Sequence, residues 1–185
     1  TSDGYSENLA ILMRTPGDDK KLILGFLFSE GILSAKELKD VKCEISENKI
    51  NLILESNQLP DFSEMKRNFI SNSSCGICGK EAISEILKKI PKSKNSIETN
   101  MSGKVIQKIC TKMKGEQNLF LKTGGVHAVG LFTKIGNIIC IEEDVGRHNA
   151  MDKAIGNAYV IEDLGKEIIG ACLSGRASYE MVQKA

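Results

Sequence analysis

From Gly103 onward, the sequence follows one regular order of helix and strand patterns, and this order limits the possible folds more than any other feature. The segments are, in chain order, a helix at 104–115, strands at 127–133 and 137–143, a helix at 149–159, a strand at 167–173 and the start of a helix at 177–185. The stretch Lys134-Ile135-Gly136-Asn137 is typical of a tight hairpin turn between the first two strands. The order predicts an α/β fold in which helices cover both faces of a sheet.

Three polar, glycine-containing segments are placed by this order at one end of the sheet. The strand-to-helix junctions at 142–149 and 173–178 fall at the edge where open α/β sheets bind ligands. Glycine lets a backbone approach a phosphate, helix N-termini present free N–H groups, and Arg offers a bidentate clamp. We therefore predict an anion pocket for a phosphorylated or nucleotide-bearing ligand. Its candidate residues are Thr123, Gly124, Gly125, His127, Glu143, Asp144, Gly146, Arg147, His148, Asn149, Ser174, Gly175, Arg176 and Ser178.

A plainer interpretation of these segments is ordinary turn chemistry. In that case Asp144 and Ser174 cap helices, and the glycines only satisfy turn geometry. Any single segment fits this alternative better. The convergence of three segments favours a pocket.

The residues before Gly103 divide into two further units. Residues 1–70 are predicted to form a small α/β domain with a strand at 8–14, a turn at 15–18, a helix at 20–33 that stops near Gly31, and a hairpin of 41–46 with 49–55. Residues 71–102 contain a C-x-x-C loop, a short helix ended by Pro91 and a polar linker. The third unit is residues 103–185.

Composition excludes several classes of partner. The 185 residues carry a formal net charge of +1, which does not indicate nucleic acid or an acidic membrane as a partner. No apolar run approaches the ~20 residues of a membrane-spanning helix. The pattern predicts a soluble cytoplasmic protein. Because the chain starts with Thr1 and stops at Ala185 in mid-pattern, we expect a fragment of a longer protein.

Six cysteines are too few for a disulfide scaffold. Cys43, Cys110, Cys140 and Cys172 lie within apolar or helical patterns and are predicted to be buried small hydrophobic residues in a reduced compartment. Only Cys75-Gly76-Ile77-Cys78 forms a motif.

This motif allows three chemistries. It supplies half of a structural zinc site, to be completed by His127, His148 or a partner subunit. It also suits a redox pair. Finally, a thiolate at a helix N-terminus near Lys80 has a lowered pKa and could carry sulfur as a persulfide. The residues alone do not rank sulfur transfer above redox cycling.

The chain resembles the formate dehydrogenase accessory sulfurtransferases, the FdhD family. The resemblance rests on five motifs in the family's order: MRTPGDDKKLILGFLFSEGIL, RNFISNSSCGICGK, TGGVHAVGLFT, EDVGRHNAMDKAIG and LSGRASYEMVQKA. It implies a cytoplasmic homodimer that matures molybdenum or tungsten formate dehydrogenases. Such proteins accept sulfur from a cysteine desulfurase and pass it to the bis-molybdopterin guanine dinucleotide cofactor before its insertion into the apoprotein. The family's persulfide cysteine corresponds to Cys75, and the second cysteine of its motif corresponds to Cys78.

The resemblance also implies a cytidine-deaminase-like three-layer α/β/α main domain. Zinc deaminases place H-x-E and P-C-x-x-C at two helix starts. Here His148 is kept, Ala150 replaces the catalytic Glu, and the cysteine ligands are missing, so no catalytic zinc is expected. Arg147 and Arg176 at the same helix starts then suit the phosphates of a guanine dinucleotide, with GDP as an analogue. Family members continue past Ala185 with a segment that contributes to cofactor binding.

An alternative function belongs to a different class. The protein could be a non-catalytic chaperone or binding module for the molybdenum cofactor, in which Cys75 and Cys78 hold zinc or a regulatory disulfide.

Overall fold

The computed structural model describes residues 8–54 and 100–185. The C-x-x-C motif, the helix predicted after it and the predicted domain boundary near residue 70 lie outside these ranges. The described elements are α1 (Asp19–Ser29), α2 (Ala35–Lys39), β1 (Lys42–Ser46), β2 (Lys49–Ile53), α3 (Gly103–Gly115), α4 (Asn118–Thr123), β3 (His127–Thr133), β4 (Ile138–Asp144), α5 (Arg147–Ile155) with a π-helical continuation (Gly156–Ile161), a 3-10 turn (Gly165–Glu167), β5 (Ile168–Leu173) and α6 (Tyr179–Lys184). Each helix in these ranges is too short or too polar to cross a lipid bilayer.

The larger sheet has the strand order β4-β3-β5, and β3 is antiparallel to both neighbours. Strands β4 and β5 therefore run in the same direction and end where β3 begins. His127 lies opposite Asp144, and Val129 lies opposite Leu173. This register confirms that the two strand-to-helix junctions lie at one edge of the sheet.

Helices contact both faces of this sheet, as predicted. Val129 and Leu131 of β3 pack with Ala150 of α5 in one buried cluster. Gly130 between them faces the other way, and a Cβ on it would lie 3.5 Å from the sulfur of Met113 in α3. The mixed α/β class is thus confirmed, whereas the cytidine-deaminase-like arrangement of the layers stays a prediction.

Helix α1 crosses α5 and its continuation at a backbone contact. A Cβ on Gly25 would lie 1.7 Å from the carbonyl oxygen of Asp152, and a Cβ on Gly156 would lie 2.0 Å from that of Lys21. Only glycine fits at either position. The close approach places the segment before α1 next to the β4–α5 turn.

The buried side chains form two clusters that meet at one aromatic pair. One cluster lies between α5 and the sheet, and the other lies among α1, α2 and the β1–β2 hairpin. Phe28 and Tyr159 contact both clusters, and their stacked rings have centroids 5.6 Å apart. The two parts of the chain therefore share a continuous apolar interior.

The local signals at turns are confirmed. Helix α1 follows Gly17 and Asp18, which both have positive φ, and ends before Gly31 at φ 69°. The β1–β2 hairpin forms as predicted. The β3–β4 turn contains Gly136 at φ 79°.

The predicted strand at 8–14 is wrong. Burial alternates from residue 10 to residue 13, since Ala10 and Leu12 pack against the second cluster while Ile11 and Met13 are exposed. However, none of the described strands pairs with this segment. Alternation reflects alternate burial, which a segment can have without a sheet partner.

Two further differences concern α3 and α4. Cys110 is exposed on α3, although it was predicted to be buried, because it lies at the edge of the buried stripe that contains Ile109 and Met113. Helix α4 was not predicted, since its six residues are too few for a periodic signal.

Candidate functional site

Ser174 joins the end of β5 to the start of β3. Its N–H donates to the carbonyl oxygen of Ala128 at 3.0 Å, and its Oγ accepts from the N–H of Ala128 at 2.8 Å. The hydroxyl is therefore used to extend the sheet edge, and the alternative interpretation of Ser174 as a helix cap is wrong. The N-cap position of α6 is held by Ser178.

The turn after β5 lies directly against the ring of His127. A Cβ on Gly175 would lie 3.0 Å from His127 Nδ1. Glycine at 175 thus lets the Ser174–Arg176 turn approach the first residue of β3. The turn therefore brings two of the three predicted segments together.

Asp144 is fully buried and organises the turn between β4 and α5. Its Oδ1 accepts from the N–H of Gly146 at 2.9 Å and from Asn149 Nδ2 at 3.0 Å. Its Oδ2 accepts from the N–H of Thr15 at 3.0 Å and lies 2.8 Å from Lys153 Nζ. Asp144 and Asn149 therefore build the turn from inside, and their direct contact with a ligand stays a prediction.

The N-terminal segment completes this turn, which the sequence did not indicate. Asn149 Nδ2 donates to the carbonyl oxygen of Met13 at 2.8 Å, and the N–H of Val145 donates to Thr15 Oγ1 at 2.9 Å. Lys153 Nζ also donates to the carbonyl oxygen of Thr15 at 3.2 Å. Residues 13–15 consequently hold the β4–α5 turn through these hydrogen bonds.

A sequence signal for Lys153 did exist. Small or apolar residues stand on both sides of Asp152 and Lys153, at 150–151 and 154–155, and this pattern is compatible with a buried helix. A lysine in such a helix must be paired. In the structure this partner is Asp144, nine residues earlier in the chain.

Glu143 positions the Thr123–Gly125 segment through α4. Its two carboxylate oxygens accept from the N–H groups of Leu119 at 2.7 Å and Phe120 at 2.9 Å. A negative charge at a helix N-terminus is stabilising. Helix α4 then ends at Gly124. Its φ of 65° would be strained in a residue with a Cβ, whereas glycine adopts it freely.

His148 joins the starts of α5 and α6. Its Nε2 lies 2.7 Å from Glu180 Oε2. Glu180 was not among the predicted site residues. Across the described ranges, no group of three or more His, Cys, Asp or Glu side chains is arranged to hold a metal ion.

A second buried acid ties α1 to β4 beside the turn. Glu142 Oε1 accepts from Lys21 Nζ at 2.9 Å and from Asn157 Nδ2 at 2.9 Å. Burial raises the pKa of Glu142. Burial also acts to lower the pKa of Lys21, but the hydrogen bonds and charges of Glu142 and Asp18 raise it overall, so Lys21 remains charged.

This edge carries the two arginines predicted to bind an anion, and that binding stays a prediction. Arg176 is exposed and Arg147 is half-buried. The buried carboxylate of Asp144 is compensated by Lys153, so it adds little repulsion. The exposed backbone of the edge belongs to the glycines and small residues Thr123, Gly124, Gly125, Ser174 and Gly175. Cys75 and Cys78 lie outside the described residues.

The sequence of this chain is similar to a family of known proteins. The FdhD/NarQ family model matches residues 4–185. The sulfur carrier protein FdhD of Sulfolobus acidocaldarius is 42% identical over 183 residues, covering 97% of this chain and 67% of that protein. Its counterpart from Picrophilus torridus is 40% identical over 186 residues, covering 96% and 66%. The one from Streptomyces coelicolor is 36% identical over 191 residues, covering 96% and 66%. The chain thus spans about two thirds of the length of these relatives.

A solved structure has a similar fold. It is a protein assigned as a formate dehydrogenase accessory protein from Desulfotalea psychrophila, with a TM-score of 0.60 and 22% sequence identity. The match covers 93% of this chain and 61% of the other. At this identity the likeness concerns the fold alone.

Proposed function

The chain belongs to the FdhD/NarQ family, and from that premise we propose that it carries sulfur during the maturation of formate dehydrogenase. The observation that carries this proposal is the match of nearly the whole chain to relatives named as sulfur carrier proteins at about two-fifths identity. The C-x-x-C motif lies within the matched residues. Sulfur transfer therefore takes precedence over the zinc and redox alternatives.

Cys75 is the proposed sulfur carrier. Its thiolate attacks the outer sulfur of a persulfide on a cysteine desulfurase. The sulfur–sulfur bond of the donor breaks, the donor cysteine leaves as a thiolate, and Cys75 keeps the outer sulfur as a new persulfide. Cys78, three residues later, would assist the release of this sulfur to the acceptor.

The proposed acceptor is the bis-molybdopterin guanine dinucleotide cofactor, bound as substrate at the edge where β4 and β5 end. Arg147 and Arg176 would contact its phosphates, since one guanidinium group can bind two phosphate oxygens at once. Gly124, Gly125 and Gly175 leave the backbone accessible at this edge. The compensated charge of Asp144 supports the fit of a strongly anionic ligand.

The remaining family properties form part of the same proposal. They are a cytidine-deaminase-like main domain without catalytic zinc, a homodimer in the cytoplasm, and a desulfurase and the formate dehydrogenase apoprotein as partners. The layering of α3, the sheet and α5 is compatible with such a domain.

The experiment is genetic complementation. In a host that lacks its own sulfur carrier but contains formate dehydrogenase, the protein should restore formate oxidation, and Cys75→Ala should not. Cys43→Ala, a substitution of a half-buried cysteine outside the motif, is the matched control and should restore activity. Full restoration by Cys75→Ala would refute the proposal.

A further inference from the structure

Cys110 of α3 and Cys172 of β5 lie side by side, with their sulfur atoms 3.9 Å apart. They are 62 residues apart in the sequence, and neither belongs to the C-x-x-C motif. We propose that this pair is a second thiol site, which forms a reversible disulfide between α3 and β5.

The geometry needs only a small adjustment. A disulfide bond is ~2.0 Å long, so the sulfur atoms must approach by about 2 Å. Rotation about the side-chain bonds moves a thiol sulfur by this amount. The backbones of α3 and β5 can then stay in place if the two elements already pack together. They do, since α3 lies directly against β5. By contrast, the sulfur of Cys140 faces a carbonyl group, since it lies 3.7 Å from the carbonyl oxygen of Ala154.

The different exposure of the two thiols sets the order of reaction. Cys110 is exposed, so an oxidant in solution reaches it first. Burial, together with the neighbouring Cys110, raises the pKa of Cys172 to about 11, so Cys172 is a poor first nucleophile. Once Cys110 is modified, its charge no longer opposes ionisation of Cys172.

The proposed oxidant is a small-molecule disulfide such as oxidised glutathione. The Cys110 thiolate attacks one sulfur of the disulfide, and one glutathione thiolate leaves. The Cys172 thiolate then attacks the Cys110 sulfur and displaces the second glutathione. Two protein thiols lose two protons and two electrons, and one glutathione disulfide becomes two thiols.

The bond would enclose most of the candidate site. The closed loop runs from α3 through β3, β4 and α5 to β5, so it contains the Thr123–Gly125 and Glu143–Asn149 segments. Strand β5 leads directly into the third segment, Ser174–Arg176. Closing a loop of this length should raise the midpoint of thermal unfolding by about 10 °C.

The test uses protein in which Cys75 and Cys78 are replaced by serine, so that the motif cannot exchange disulfides. After incubation with oxidised glutathione, mass spectrometry of non-reduced peptides should find the Cys110 and Cys172 peptides joined, with two hydrogens lost. Cys140→Ser is the matched control and should keep the cross-link. In Cys172→Ser, glutathione should instead remain on Cys110, and in Cys110→Ser the Cys172 thiol should stay unmodified.

Three results would overturn the proposal. One is a wild-type pair that keeps both thiols free under oxidised glutathione. Another is glutathione that stays on Cys110 while Cys172 is intact. The third is a cross-link that joins either cysteine to a different one. An oxidised protein whose melting midpoint does not rise would contradict the claim that the bond ties the two elements.

Discussion

Lys153 and Asp144 form an ion pair in the interior, with Nζ 2.8 Å from Oδ2 and both residues buried. The pair lies beneath the turn that presents Arg147 and His148 at the sheet edge. Thr15 contacts both partners through its backbone. The pair therefore couples the N-terminal segment, the end of β4 and the start of α5.

Replacing Lys153 with methionine should leave the buried carboxylate of Asp144 without its counter-charge. Removing one partner of a buried pair costs about 3–5 kcal/mol, because the remaining charge stays desolvated. We expect a loss of this size in the free energy of unfolding, measured by urea denaturation. Replacing Asp144 by leucine as well should not restore this stability, because the N–H groups of Thr15 and Gly146 and the amide of Asn149 would lose their acceptor.

The matched control is the exposed pair of Lys39 and Asp163, with Nζ 2.8 Å from Oδ2. Lys39→Met should leave the urea midpoint unchanged within error, since solvent already screens this pair. Equal effects of Lys153→Met and Lys39→Met would contradict the structural role assigned to the buried pair.

Gly25→Ala should be strongly destabilising. The added Cβ would meet the Asp152 carbonyl oxygen at 1.7 Å, and backbone atoms cannot move aside as a flexible side chain can. We expect a loss of about 3 kcal/mol or more in the free energy of unfolding. Gly115→Ala is the control: a Cβ there meets nothing within 4 Å, so this change should be neutral or slightly stabilising. A Gly25→Ala protein as stable as the parent would refute the backbone contact between α1 and α5.

Arg147→Ala and Arg176→Ala should each weaken binding of GDP by at least about tenfold, because each removes a charged hydrogen-bond donor to phosphate. Isothermal titration calorimetry at fixed salt measures this directly. Lys108→Ala removes an exposed positive charge on α3, outside the three segments, and should bind as the parent does. If both arginine variants bound GDP with the parent's affinity, the phosphate site would be elsewhere.

The Cys140 thiol should show an unusual pH dependence. Burial, reinforced by the charge of Glu142, raises the pKa of Cys140 to about 11 from the ordinary 9.0. Because only the thiolate reacts, alkylation by iodoacetamide should still rise about tenfold per pH unit between pH 9 and 10. In urea-unfolded protein the rate should level off over the same range. Peptide mapping gives both rates. If the alkylation rate of the folded protein also levelled off over this range, the pKa of Cys140 would not be raised.

Much of the fold could be predicted because its signals are local. Strand β3 has the predicted bounds, and the glycines at 31 and 136 mark a helix end and a turn as expected. The shared edge of β4 and β5 also followed from the order of the elements. Residues 8–14 show the limit of such signals, because alternate burial does not indicate whether a partner strand exists.

The structure of the candidate site was less predictable, since its contacts join distant residues. Glu143 caps α4 from a strand more than twenty residues later in the chain. Thr15 reaches Asp144 across 129 positions. The contact of Cys110 with Cys172 depends on which face of α3 meets the sheet. None of these pairings leaves a pattern in a single sequence.

The most direct test of sulfur transfer is mass spectrometry of the Cys75 peptide after incubation with a cysteine desulfurase and free cysteine. The proposal predicts a gain of one sulfur atom, about 32 Da, on Cys75. A reducing agent should remove this sulfur, and the Cys75→Ala protein should not acquire it. A Cys75 peptide that stays unmodified while the desulfurase is active would contradict the central claim.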